Sequence, residues 1–163
     1  MPRVGFDRLP DDGRLWIFAA ERELSPAEQA RLLAEVDQFI AQWTAHGVAL
    51  TAARELREGR FLFVGVDERA AGVSGCSIDA LVRRMRTLQG ELGAELVNHG
   101  PVLFRRHGRV ERLSRERFAE LAAAGDVGID TPVFDTTLTR IGDLRAGRWE
   151  VPARESWHGR AFF

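Results

Sequence analysis

The chain has 163 residues, 45% of them hydrophobic, and a formal net charge of −1. A chain of that length buries roughly 70% of its unfolded surface, so a single core needs no staple. All 23 Lys/Arg positions are arginine, which excludes a Walker A lysine and Schiff-base lysine chemistry; the near-neutral balance argues against a nucleic-acid partner.

Residues 1–13 hold Pro2, Pro10 and the turn-forming Asp11-Asp12-Gly13. They read as an irregular arm that Val4 and Phe6 pin to the body. This stretch lacks the apolar core of a signal peptide, and no apolar run approaches the ~20 residues of a membrane span. With one cysteine, no internal disulfide can form, which suits a reducing compartment. A cytoplasmic location is expected, with no membrane association.

Residues 14–20 form a first strand whose continuous apolar run, Leu15 to Phe18, is that of a strand covered on both faces. Ser25-Pro26-Ala27-Glu28 reads as a helix start, with a serine cap, proline in the first turn and a reciprocal glutamate. Leu32, Leu33, Val36, Phe39, Ile40 and Trp43 continue it as one stripe. Gly47 is its left-handed stop, giving a helix over 25–45. Residues 49–57 and 60–66 are strands joined by the turn Glu58-Gly59. After a small-residue loop, Ile78, Leu81, Val82, Met85, Leu88 and Leu92 mark a second helix that ends near Gly90 or Gly93. Strands over 102–106 and 109–113 flank His107-Gly108. A third helix runs from the cap Ser114 to Gly125. Short extended pieces at 130–134 and 149–151 and a helical turn at 141–146 lead to an aromatic tail.

The order through residue 106 is β-α-β-β-α-β, so the predicted class is α+β with a ferredoxin-like core. Its helices cover one face of an antiparallel sheet. The predicted organisation is an arm at 1–13, the core at 14–106, and a small β-α-β extension at 107–163 packed on it.

Residues 61–79 organise the chain: a buried strand, a small-residue loop and a helix start holding Cys76. A thiol there lies near unsatisfied N–H groups, which favours the thiolate. On a helical wheel Cys76, Asp79 and Arg83 share the side away from the apolar stripe. Arg83 would stabilise a thiolate, and Asp79 would oppose it or bind Arg83. Ser74, Gly75 and Ser77 complete the candidate binding loop. The plainer reading is a small residue at a loop-to-helix junction. Spacing places none of the four histidines beside Cys76.

Asp67 and Glu68 end the buried strand as candidate bases, or as polar punctuation there. The glycines of 65–75 suggest an anion loop, but G-x-G-x-x-G is absent. No zinc-like spacing occurs, and neither metal nor cofactor is predicted. Arg105, Arg106, Arg109, Arg112, Arg115 and Arg117 form a basic run that offers an RNA or anionic-partner surface, or a solvated hairpin and helix. In the tail, Trp157 and His158 are candidate binding residues. The tail is expected to fold back, the other reading being a dimer or partner contact.

Residues 66–79, with their DE-x-x-AG-x-SGCSID pattern, resemble an uncharacterised bacterial family of similar length. So do Trp16-Ile17-Phe18, 42–46, 131–134, 149–152 and Ser156-Trp157-His158. Members are often labelled "ABC transporter ATPase", a label at odds with the missing Walker lysine. Residues 109–134 are more distantly similar to the strand-helix-strand pattern of GYF-type peptide-binding modules. The leading expectation is an interaction or assembly protein working as a homodimer or with a protein partner. The alternative is a cysteine-dependent enzyme for acyl transfer, hydrolysis or thiol redox at Cys76. The third is RNA binding through 105–117.

Overall fold

The computed structural model describes residues 4–163; Pro2 of the predicted arm lies outside them. The chain is α+β, as expected, with every strand pair antiparallel. Strand β1 (Arg14–Ala19) leads to α1 (Pro26–Gln42), a small hairpin of β2 (Thr44–Ala45) and β3 (Val48–Ala49), then β4 (Thr51–Arg57), β5 (Phe61–Asp67) and α2 (Gly75–Leu92). The second half holds β6 (Val102–Arg106), β7 (Arg109–Leu113), α3 (Arg115–Ala124), β8 (Pro132–Phe134), α4 (Ile141–Arg145), β9 (Glu150–Pro152) and α5 (Trp157–Phe162).

The first sheet has the order β1-β5-β4, and the second has the order β7-β6-β8-β9. Here the expected ferredoxin-like unit needs correction. Its fourth strand, β6, is central in the second sheet and does not flank β1. The outer edge of β1 meets the chain near residues 139–140 instead, where Leu15 N–H donates to Thr139 C=O at 3.0 Å.

Side-chain alternation along β5 explains the layering. Leu62, Val64 and Val66 face α1 and α2 with Leu32, Val36, Ile40, Leu81, Met85 and Leu88. Phe61 and Phe63 point the other way, into a cluster with Leu103, Phe134, Ile141 and Trp149. The second sheet in turn presents Val102, Phe104 and Val133 to Phe118 of α3. The layers are therefore helices, sheet, sheet, helices, and period-two alternation gives the middle strands two apolar faces. Gly65 belongs to this packing and not to an anion loop. A Cβ there would sit 2.7 Å from Leu9 Cδ1 and 2.9 Å from Ile141 Cδ1. Val4 and Phe6 pack on the same cluster, which is how the arm is held.

Helix α1 stops at Gln42, three residues short of the predicted end. Gly47 (φ 78°) is no helix stop; with His46 (φ 52°) it forms the two-residue turn of the β2–β3 hairpin. Positive φ at both central residues matches the twist of the flanking strands. The tail folds back as expected: the Phe162 ring lies 4.9 Å from Phe118, edge to face. No helix among the described residues is long and apolar enough to cross a membrane.

Candidate functional site

The start of α2 is built by a capping box. Ser77 N–H donates to Ser74 Oγ at 3.1 Å, and Ser74 N–H donates to Ser77 Oγ at 2.7 Å. The two serines satisfy each other's backbone donors, as Ser25 and Glu28 do at α1. Ser74 and Ser77 are thus occupied with the fold. Gly75 and Cys76 fill the first turn between them, and their N–H groups have no acceptor among the described residues.

The end of α1 is tied to this turn. Trp43 is buried, and its Nε1–H donates to Ser77 C=O at 2.9 Å. With Trp43 fixed, the β2–β3 hairpin holds His46 above the first turn of α2. Trp43, Phe39 and His46 from one side and Cys76, Ala80 and Arg84 from the other wall an open cavity of about 490 Å³. The Cys76 thiol is exposed. Arg84 is held by Glu35 at 3.0 Å and lies over the Phe39 ring. The cavity therefore joins a thiol, an imidazole, a guanidinium, the free N–H of Cys76 and an aromatic wall.

Several sequence candidates lie elsewhere. Asp79 and Arg83 are exposed on the same side of α2 as Cys76 but make no ion pair with each other among the described residues. The cation on the Cys76 cavity is Arg84. Asp67 is held by Arg69, whose guanidinium donates at 2.7 Å and, with its backbone N–H, keeps the carboxyl below its usual range. That makes Asp67 a poor base. Glu68 accepts from Val73 N–H at 3.0 Å and closes the loop before α2. Both carboxylates are braces.

Trp157 and His158 lie far along the chain in α5. His158 is buried, and its Nδ1 is 2.7 Å from Ser156 Oγ. Its ring stacks on Trp157 with centroids 3.8 Å apart, and Arg115 covers the Trp157 ring. Burial pushes the imidazole down to about 4, against a partial upward pull from Asp135 and with a smaller downward push from Arg115.

The basic run is largely neutralised within the chain. Arg105 binds Glu150 and Glu58, Arg106 binds Glu111, Arg112 binds Glu95, and Arg117 faces Glu120. Among the described residues, no three His, Cys, Asp or Glu side chains gather as metal ligands.

His46 and Arg84 are the members of the Cys76 cavity that sequence reasoning missed. His46 belongs to 42–46, one of the stretches singled out for its resemblance. That was the available signal, but its approach to Cys76 depends on the Trp43 anchor. Compared with family models, with curated proteins and with solved structures, the chain finds no match in any of the three.

Proposed function

We propose that the protein is a cysteine-dependent enzyme acting on the acyl group of a small substrate, with Cys76 as nucleophile. The observation that supports this reading is that Cys76 and His46, 30 positions apart in sequence, line one cavity. His46 takes the thiol proton, and Sγ adds to the acyl carbon. The carbonyl oxygen gathers negative charge facing the free N–H of Cys76, the place where a preorganised donor lowers a barrier. The leaving group departs with the proton from His46, leaving a thioester on Sγ. Water, giving its proton to His46, then releases the acid and restores the thiol. Trp43 and Phe39 suit an apolar or aromatic acyl body, and Arg84 suits a negative charge on it. A lone thiol needs a reducing compartment to stay free, so a cytoplasmic setting goes with this reading.

The homodimer reading drew on the aromatic tail. That tail is packed onto α3, and the most exposed large apolar residues, Val48, Ile129 and Phe163, are scattered along the chain.

The test is the rate of Cys76 alkylation by iodoacetamide at pH 7, in the wild type and in His46→Ala. The expected result is a loss of about tenfold in the variant, less than a general base contributes to a full reaction because a thiol at pH 7 is already a few per cent thiolate. Equal rates in the two proteins would remove His46 from the mechanism, and a thiol that never reacts would remove the enzyme reading.

A further inference from the structure

A second cleft, sharing no lining residue with the Cys76 cavity, lies along the outer edge of β1. In a strand, successive residues aim their backbone groups to alternate sides. Leu15 N–H donates outward to Thr139 C=O at 3.0 Å, and Glu21 N–H donates outward to Glu95 C=O at 2.9 Å. Ala20 N–H, of opposite parity, donates inward to Arg60 C=O at 2.9 Å. Ile17 and Ala19 share the parity of Leu15 and Glu21. Their N–H and C=O groups therefore point out along the edge, and no partner bonds them among the described residues.

The chain at 136–139 leaves a turn at 136–137 and reaches the β1 edge only at its end, where Leu15 N–H meets Thr139 C=O. The bridge at Arg14 and Arg140 is made, but the next pairing is not. Between the diverging segments lies a cleft of about 410 Å³, walled by Trp16, Val82, Val97 and Leu138. Ile17, at its floor, is only 2% exposed. Ala19 is half-buried, and a buried main chain left unmatched, as at Ile17, is uncommon, because buried backbone groups are almost always paired. The open stretch, residues 17–19, is roughly 10 Å long at about 3.3 Å per residue.

The rim is cationic. Arg14, Arg86 and His99 line the same cleft. Neither arginine has a carboxylate partner among the described residues; Arg14 lies over the Trp16 ring at 5.1 Å. His99 Nδ1 is 3.4 Å from Thr136 Oγ1.

We infer that this cleft binds an extended segment of a partner protein, which pairs its main chain with Ile17 and Ala19 as an added strand. The segment is short, with one or two apolar residues for the Trp16–Val82–Val97–Leu138 wall and an acidic residue for Arg14 and Arg86. The site is separate from the Cys76 cavity and stands or falls independently of the acyl chemistry.

The test uses the full chain and the peptide acetyl-Thr-Val-Thr-Val-Asp-Glu, followed by amide hydrogen exchange. Without peptide, the Ile17 and Ala19 amides should exchange faster than those of central β5. At saturating peptide, both should slow by about tenfold or more, the mark of new main-chain bonds. A peptide N-methylated at alternate residues should not protect them. Arg86→Glu, an exposed charge reversal away from the core, should weaken binding by about fivefold or more, an effect that rising salt also produces. No protection at millimolar peptide overturns the proposal. So does equal binding of the N-methylated peptide, which points to a side-chain pocket. Protection of the same amides without peptide, growing with protein concentration, replaces the partner with a second copy of this chain.

Discussion

The tail and the start of α2 each bring a nucleophile-type side chain together with a histidine, and they differ in what surrounds them. At the tail, Ser156 Oγ and His158 Nδ1 are 2.7 Å apart, whereas Cys76 makes no hydrogen bond among the described residues. Yet the imidazole is buried and held at about 4. Burial disfavours the charged ring and makes it a weak acceptor for the serine proton, so the short bond there serves as a structural link. At the start of α2, the thiol and His46 are both exposed to a shared cavity. There each group is open to solvent and can meet a substrate. A close contact is thus weaker evidence of chemistry than the access of its histidine to solvent and substrate.

The sharpest way to break this comparison is to remove the tail histidine. His158→Ala deletes a fully buried ring, its bond to Ser156 and its stacking on Trp157. A cost of about 3 kcal/mol is expected, in the range of large-to-small core changes, and urea unfolding measures it. The same ring imposes a pH dependence. The folded value is below the ordinary 6.5, so between pH 6.5 and about 4 the unfolded chain binds a proton that the native chain refuses. The contribution is complete above pH 6.5 and is lost as pH falls to about 4. At about 1.4 kcal/mol per unit, less solvent screening, this slope amounts to roughly 2–3 kcal/mol. His158→Ala should flatten the part of the stability curve that belongs to this window. If the variant unfolds like the wild type, the tail histidine is no structural group and the contrast fails.

The next largest effect sits under the thiol. Ser74→Ala removes one half of the α2 capping box and should cost about 1 kcal/mol, the usual value for losing such a cap. Because the cap sets the first turn, alkylation of Cys76 should slow as well. A stable variant with unchanged thiol reactivity would show that the cavity does not depend on the cap.

The two capping boxes also explain what could be read from the sequence. Ser25 and Glu28 announce theirs, since a glutamate three residues after a serine is a recognisable pattern. Ser74 and Ser77 do the same work with a second serine, so the stretch 74–77 looked like a binding loop. Outside the β2–β3 hairpin, strand and helix identity along 14–134 followed from local periodicity, which is set within a few residues. Sheet membership did not: β6 is a strand by its own sequence, but its partners β7 and β8 depend on distant packing. The same limit hid the site. Gly47 after a helical stripe reads as a helix stop, and only the Trp43–Ser77 bond, spanning 34 positions, turns that segment back over Cys76. The tail resisted because α5 is six residues long and contains Gly159, too short for a helical period to appear.

The smallest expected effect separates folding from chemistry most cleanly. Cys76 is exposed, lies outside the apolar stripe of α2 and makes no hydrogen bond among the described residues. Serine in its place keeps the size and suits a helix's first turn, so Cys76→Ser should change unfolding free energy by less than about 0.5 kcal/mol. Ser156→Ala, by contrast, takes a bonded oxygen from a buried imidazole and should cost about 1 kcal/mol or more. Thermal unfolding of the two variants side by side measures both. If Cys76→Ser proves the more damaging, the thiol serves the fold and the tail pair becomes the place to look for chemistry. If it folds like the wild type and loses acyl transfer, the exposed pair carries the reaction and the buried pair only holds the tail.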